Sequence, residues 1–305
     1  MNISRIPKAS VGVISYNNEN FIVECLNSII AQQWDNLQII ISDDCSSDNS
    51  QKNIKNWMAY TNHKDIYFKQ NSINLGITEN LNSLLPLMSG DYFCFLGGDD
   101  IMLAGRIASQ VEAMQADNSV SMCYSNMYWR WEKFKYLKFT HFNSFIKPPN
   151  SYEELVRENT LPSPTFMFKR EVFNQLKFEK KYPHISDYVI ALRLMKDTRI
   201  IYLKKNLILY RRHSTNITSK NYFSRERLKL NQELKISVPI VSKEAINQNY
   251  RVYLFAMTAH LIKHSGRKCL ILKLLVRLFP SFFHSKKWFL RGLKLGFMML
   301  VNFRV

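Results

Sequence analysis

The chain has 305 residues, 46% of them hydrophobic and 13% aromatic, which excludes a disordered protein and allows one large domain or a domain with an appendage. The net charge of +18 is uneven, with 16 Lys and Arg against three acids (Glu226, Glu233, Glu244) in residues 221–305. That tail reads as an attachment surface for something anionic, and its basic excess lies in apolar helical sequence rather than in a groove-reading motif, which argues against nucleic acid.

In chain order, "SVGVIS" (10–15) is a short β-branched strand and "NFIVECLNSIIAQQ" (20–33) repeats apolar residues at helical spacing. "LQIIIS" (37–42) is a second buried strand, followed by Asp-Ser turn chemistry and a helix through Trp57. "IYFK" (66–69), "ITENLNSLLPLM" (77–88) and "YFCFL" (92–96) continue the rhythm. Short strands separated by helix-length segments predict parallel βαβ units in one sheet covered on both faces. Residues 126–220 look less regular: "TFMFKREVF" (165–173) turns from strand to helix, "ISDYVIALRLMKD" (185–197) is helical, and "RIIYL" and "LILY" read as two short strands. In the tail, Leu290, Leu293, Phe297 and Leu300 share one helical face and Lys287, Arg291 and Lys294 the other. No uncharged run there reaches the ~18 residues of a spanning helix, so these helices are expected to lie on a membrane surface. The opening "MNISRIPKASVGVISYNN" holds no apolar run of signal-peptide length, and five cysteines without paired spacing fit reduced thiols, so a cytoplasmic setting is expected.

Two strands end in adjacent carboxylates: "IIISDDCSSDNS" delivers Asp43 and Asp44, and "CFLGGDD" delivers Asp99 and Asp100. Ligands in open α/β sheets bind beyond the carboxyl ends of the strands. Like charges placed side by side there call for a cation, and hard carboxylate oxygens suit magnesium or manganese. Each acid also has a plain structural reading. Asp43, Asp44 and Asp48 suit a turn and helix cap, Asp99 and Asp100 a cap for a helix near Leu103, and Asp187 a cap for its own helix. A phosphoryl-transfer protein also holds magnesium on strand-end acids, but no glycine-rich Lys-Ser/Thr loop is present.

Together these stretches resemble the family-2 glycosyltransferases over about residues 8–215. "SVGVISYNNENFIVECLNSIIAQQWDNLQIIISDDCSSDNS" is similar to the family's opening strand, turn, helix and Asp-Asp-x-Ser-x-Asp loop. "NLGITENLNSLLPLMSGDYFCFLGGDD" is similar to its segment leading to the acidic motif, "ISDYVIALRL" to the segment with the catalytic base, and "YRRHSTNIT" to its basic closing segment. The resemblance implies an α/β, GT-A nucleotide-sugar-binding fold with a mostly parallel sheet in residues 1–220. Residues 1–125 would form the nucleotide-binding half, 126–220 the acceptor-side half, and 221–305 a basic helical region. It implies that Tyr16, Glu19 and Asp44 line the nucleoside pocket, that Asp99 and Asp100 serve the ribose and a divalent metal, that Asp187 is the base, and that His213 lies near the diphosphate or metal, where Arg211 and Arg212 would add positive charge from the opposite side. Two departures stand out: Gly97 where the family commonly begins its motif with an Asp, and Leu81 where many members have an Arg.

The activity so implied is metal-dependent, inverting transfer of a sugar from a nucleotide-sugar, of the UDP class. The acceptor would be a saccharide on a polyprenyl-diphosphate carrier in O-antigen or capsule synthesis, reached by a peripheral enzyme at the inner face of the cytoplasmic membrane. The departures leave an inactive scaffold of the same fold as the alternative, with a basic nucleic-acid-binding protein behind it.

Overall fold

The computed structural model describes residues 5–131, 140–141, 148–157 and 159–213, together with 226–227, 229–230 and 232–234. The expectations for the basic region therefore lie outside the described residues, apart from those last seven positions. No helix among the described residues is long and apolar enough to cross a membrane.

The β-branched runs form the parallel strands β1 (Ala9–Ser15), β2 (Leu37–Asp43), β3 (Ile66–Gln70) and β4 (Tyr92–Gly97), in the order β3-β2-β1-β4. Between them run the helices α1 (Ile22–Ile30), α2 (Ser50–Tyr60) and α3 (Ile77–Leu84), the last followed by a single 3-10 turn, Leu85–Leu87. Period-two alternation sorts the apolar side chains: Ile39 and Ile41 of β2 enter a core with Ile22, Leu26 and Ile29 of α1 and Trp57 of α2. Ile40 faces the other way, against Leu84 and Met88. Each fully buried Ile or Leu contributes about 1.5–3 kcal/mol, so this two-sided burial fixes the register.

Beyond β4 the sheet changes character. The strands β5 (Ile101–Met102), β6 (Val120–Trp131), β7 (Thr140–His141), β8 (Met167–Lys169) and β9 (Arg199–Arg212) extend it, with β8 antiparallel to both β4 and β6 and β9 parallel to β6. The expected "RIIYL" and "LILY" strands are one strand. A register shift opposite Lys204 and Lys205 lets the exposed lysines leave the ladder while pairing resumes at Asn206. The region thought irregular after residue 125 begins inside the twelve-residue β6. Its apolar residues face both covering layers, Cys123 and Met127 on one side and Met122 and Tyr124 on the other. Helices α4 (Arg106–Gln115), α5 (Tyr152–Arg157), α6 (Val172–Gln175) and α7 (Ser186–Asp197) complete the cover.

Candidate active site

Ser15 pairs with Asp43, and Ile14 with Gly97, so β1, β2 and β4 end level with one another. Both acid pairs therefore stand at one rim, on strands that flank β1 and lie about 10 Å apart.

At the β2 end the two aspartates divide their work. Asp43 is fully buried in an Asx turn, where Oδ1 accepts the Ser46 N–H at 2.9 Å and the Gln51 amide at 2.8 Å, and Oδ2 accepts the Ser46 hydroxyl at 2.6 Å. Its plain structural reading holds. Asp44 points across to the loop after β3. Its Oδ1 accepts the Leu75 N–H at 2.8 Å and the Asn71 amide at 2.9 Å, and its Oδ2 accepts the Gly76 N–H at 2.8 Å. A carboxylate has about four acceptor sites, so three contacts leave one open. Gly76 has φ +79°, a conformation that favours glycine and aims its N–H at Asp44.

Glu19 ties the two rim loops together: its Oε2 accepts the Asn49 N–H at 3.0 Å and the Asn49 side-chain amide at 2.9 Å. Asp48 returns the contact by accepting the Glu19 N–H at 3.0 Å. Tyr16 stands at the mouth, half exposed.

At the β4 end, α4 starts at Arg106 behind Gly105, with no side-chain cap, so Asp99 and Asp100 do not cap it. A Cβ on Gly97 would stand 2.7 Å from Asp99 Oδ1 and 3.5 Å from Asp100 Oδ2. Both carboxylates thus converge on the space that a side chain at residue 97 would occupy. Gly98 is needed for packing rather than for ligand approach, since its Cβ would meet Asn18 Nδ2 at 2.8 Å and Ile22 at 3.0 Å. Two side chains of α1 and its C-terminal turn fasten the segment that follows. Ser28 Oγ accepts the Met102 N–H at 3.0 Å, and Gln32 bridges the Leu103 carbonyl and the Arg106 N–H at 3.0 and 2.9 Å.

Antiparallel pairing of β5 with β9 brings the far end of the chain to the acids. Asp100 is buried, and its Oδ1 accepts the Arg211 N–H at 3.1 Å. Burial pushes its carboxyl well above the ordinary range, and the neighbouring Asp99 pushes it further. Asp99 Oδ2 lies 2.9 Å from His213 Nε2, and the imidazole stacks on Phe21 at 5.0 Å. Arg211 is buried with its guanidinium over Phe21 at 5.1 Å and paired with Glu24, whereas Arg212 lies over Trp129 at 4.9 Å. Arg211, rather than Arg212, is the arginine whose backbone touches the acid pair.

Arg106, which the sequence did not single out, lies wholly buried beneath this end. It donates to Gln110 Oε1 at 3.0 Å and to the Phe166 carbonyl at 3.1 Å, and its charge opposes the rise at Asp100. Among the described residues no three His, Cys, Asp or Glu stand close enough to hold a metal by themselves. The hard oxygens of buried Asp100 and part-buried Asp99, converging as a charge-repelling pair, nonetheless fit a divalent cation whose remaining ligands come from elsewhere.

Asp187 occupies the first turn of α7, half-buried, with Oδ1 accepting the Tyr188 N–H at 2.7 Å. Burial raises its proton affinity, and a hydrogen bond from the Ser163 hydroxyl opposes the rise. Ser163 begins the 3-10 turn Ser163–Thr165, whose Thr165 carbonyl accepts from Gln110, the partner of Arg106. The turn that bonds Asp187 through Ser163 thus also receives, at Thr165, the partner of Arg106. Cavities of about 570 and 760 Å³ lie elsewhere, one beside α3 and α6 and one beside α7.

The model of the family described as "Glycosyl transferase family 2" matches residues 10–177. Among curated proteins, the E. coli UDP-Glc:alpha-D-GlcNAc-diphosphoundecaprenol beta-1,3-glucosyltransferase WfgD is 26% identical over 220 residues, 70% of this chain and 80% of that protein. Glycosyltransferase GlyA of Streptococcus pneumoniae is 27% identical over 218 residues, which span 67% of this chain but only 30% of GlyA. Among solved structures, S. aureus TarS (residues 1–349) in complex with UDP-GlcNAc superposes with a TM-score of 0.62 at 18% identity, covering 81% of this chain and 71% of that one. The mannosyltransferase PcManGT of Pyrobaculum calidifontis, in complex with GDP-Man and Mn2+, gives 0.59 at 16% identity, covering 93% and 83%. With the rim acids, the curled sheet and a family match over more than half its length, the chain belongs to glycosyltransferase family 2 and has the GT-A fold.

Proposed function

We propose that the chain moves a sugar, with inversion, from a UDP-sugar to a saccharide held on a polyprenyl diphosphate, in the synthesis of a surface polysaccharide such as O-antigen or capsule. The observation that carries this reading is the convergence of Asp99 Oδ1 and Asp100 Oδ2 at the end of β4, with His213 brought alongside by β9. The donor class draws on TarS, solved with UDP-GlcNAc, and the acceptor class on WfgD, whose name specifies a lipid-linked GlcNAc.

In this reading Asp44 offers its one open acceptor site to the base of the nucleoside, beside Tyr16 and Glu19. Asp99 and Asp100 would hold a manganese or magnesium ion, with His213 on the Asp99 side toward the donor diphosphate. A divalent ion there supplies charge stabilisation as the sugar–phosphate bond breaks. The chain's own residues do the rest. The Arg211 N–H fixes Asp100 and, with Arg106, opposes the rise in its proton affinity, Arg212 adds positive charge toward the phosphates, and Asp187 takes the proton of the acceptor hydroxyl as it attacks the anomeric carbon from the opposite face. Attack opposite the leaving group inverts configuration in one step, and a positioned base contributes about 10²–10⁴-fold. The Lys- and Arg-rich residues 221–305 would draw the protein to an anionic membrane at the cytoplasmic face, where such an acceptor lies.

The test is nucleotide release from a panel of UDP-sugars and purine nucleotide-sugars with Mn2+, using a short-chain GlcNAc-diphosphate lipid as acceptor. Transfer with inverted anomeric configuration supports the reading, and release or transfer only with purine nucleotide-sugars overturns it.

A further inference from the structure

Thirteen residues past His213, residues 226–227, 229–230 and 232–234 are helical and lie against the body. Glu226 meets His184 twice: Oε2 accepts the His184 backbone N–H at 2.9 Å, and Oε1 pairs with the ring Nδ1. One carboxylate thereby fixes both the backbone and the ring of a residue three positions ahead of Asp187. Arg227 is buried with its guanidinium 3.5 Å from the centre of the Tyr188 ring, and it donates to the Val156 carbonyl at 3.3 Å. Glu233 accepts the Tyr182 hydroxyl at 2.6 Å and pairs with Lys181 at 2.6 Å. Leu230 and Leu234 join Ile185, Tyr188 and Val189 in one apolar cluster. From the opposite side, Thr78 of α3 donates to the Pro183 carbonyl at 2.8 Å and lies 2.9 Å from Ser186 Oγ. The turn that delivers Asp187 is therefore gripped from two directions, by α3 and by Glu226, Arg227 and Glu233 with their neighbouring leucines.

We propose that Glu226, Arg227, Leu230, Glu233 and Leu234 form a brace for the general base, and that Glu226 is a positioning residue that sets where Asp187 stands by holding His184. This rests on the reading of Asp187 as the base. Each side-chain contact of the brace described above falls on the turn before α7, on its first residues, or on α5 beside them. That placement sets the orientation of the base without building the nucleotide pocket. A base displaced by about 1 Å costs on the order of 10²-fold in rate.

The test compares Glu226→Ala, Glu226→Gln and His184→Ala in the full chain. It measures kcat for UDP release from the best UDP-sugar, UDP affinity with Mn2+, and backbone hydrogen exchange. Glu226→Ala is expected to lower kcat about 10- to 100-fold while UDP affinity stays within about twofold. Gln keeps an acceptor for the His184 N–H and a donor for Nδ1, so Glu226→Gln should restore most of the rate. Amides 184–188 should exchange faster in Glu226→Ala, and amides 43–48 should not. The proposal is overturned if Glu226→Ala keeps wild-type kcat, or if kcat and UDP affinity fall together in both Glu226 variants. If Glu226→Ala does not fold, Glu226→Gln and His184→Ala decide: equal kcat in these two and the wild type overturns it. A wild-type chain that turns over no UDP-sugar removes the functional reading, and the brace then stands or falls on the exchange of amides 184–188.

Discussion

His213 Nε2 stands 2.9 Å from Asp99 Oδ2, although 114 positions separate the two residues. The contact exists because β5, directly after the acid motif, pairs with β9, directly before the histidine. It closes the rim on the side away from Asp44, and the stability of that rim carries several consequences.

Asp100 is held protonated more strongly in the folded chain than in the unfolded one, by burial first and by Asp99 second. A carboxyl raised on folding gives stability that is complete below the ordinary value, near about 3.9, and is lost as pH rises through the raised value. Metal-free protein should therefore lose stability over that window. Asp100→Asn keeps the acceptor for the Arg211 N–H and removes the charge, so its thermal midpoint at pH 7 should exceed that of metal-free wild type. A lower midpoint in metal-free buffer would contradict this.

Gly97→Ala places a Cβ 2.7 Å from Asp99 Oδ1. Asp99 must then turn away from the space it shares with Asp100. The expected cost is about 1–3 kcal/mol in chemical denaturation, with loss of any Mn2+-dependent gain in UDP affinity. Unchanged stability and UDP binding would show that the carboxylates do not depend on that gap.

Asp44→Ala strips acceptors from Leu75, Gly76 and Asn71 at once. Loss of these charge-assisted bonds should cost about 2–4 kcal/mol, with UDP affinity reduced as well. Asp44→Asn, which retains one acceptor oxygen, should lie between it and the wild type when the two are measured side by side.

Asp187 is raised by burial, so the acid limb of the kcat profile should fall above the ordinary carboxylate value. Asp187→Asn should lower kcat about 10²–10⁴-fold and abolish that limb, while UDP binding persists. A variant with wild-type kcat would remove Asp187 from the reaction.

Much of the parallel half was legible because its signals are local. "LQIIISDD" has one β-branched run and one pair of acids, and both the strand and the rim position follow from that stretch alone. Arg106, Glu226 and His184, which lie beyond β4 and outside any motif, were not, because tertiary pairing decides them. Nothing in "MLAGRIASQ" marks Arg106 as a buried counter-charge; only β6, α4 and the 3-10 turn at Ser163 meeting around it make it so. The two strands read from "RIIYLKKNLILY" became one for a related reason: exposed lysines break the apolar pattern but not the backbone ladder to β6. His213 came into view through family resemblance, whereas Glu226 and His184 gave no signal in either chain segment until the structure brought them together.

The most direct measurement is calorimetric UDP binding with and without Mn2+, on the wild type and on Asp99→Asn and Asp100→Asn. If two carboxylates from the end of β4 hold the ion that holds the diphosphate, Mn2+ should tighten UDP binding by about tenfold or more, equal to about 1.4 kcal/mol, in the wild type alone. Equal UDP affinity with and without the metal, or a full metal effect surviving in both variants, would contradict the account.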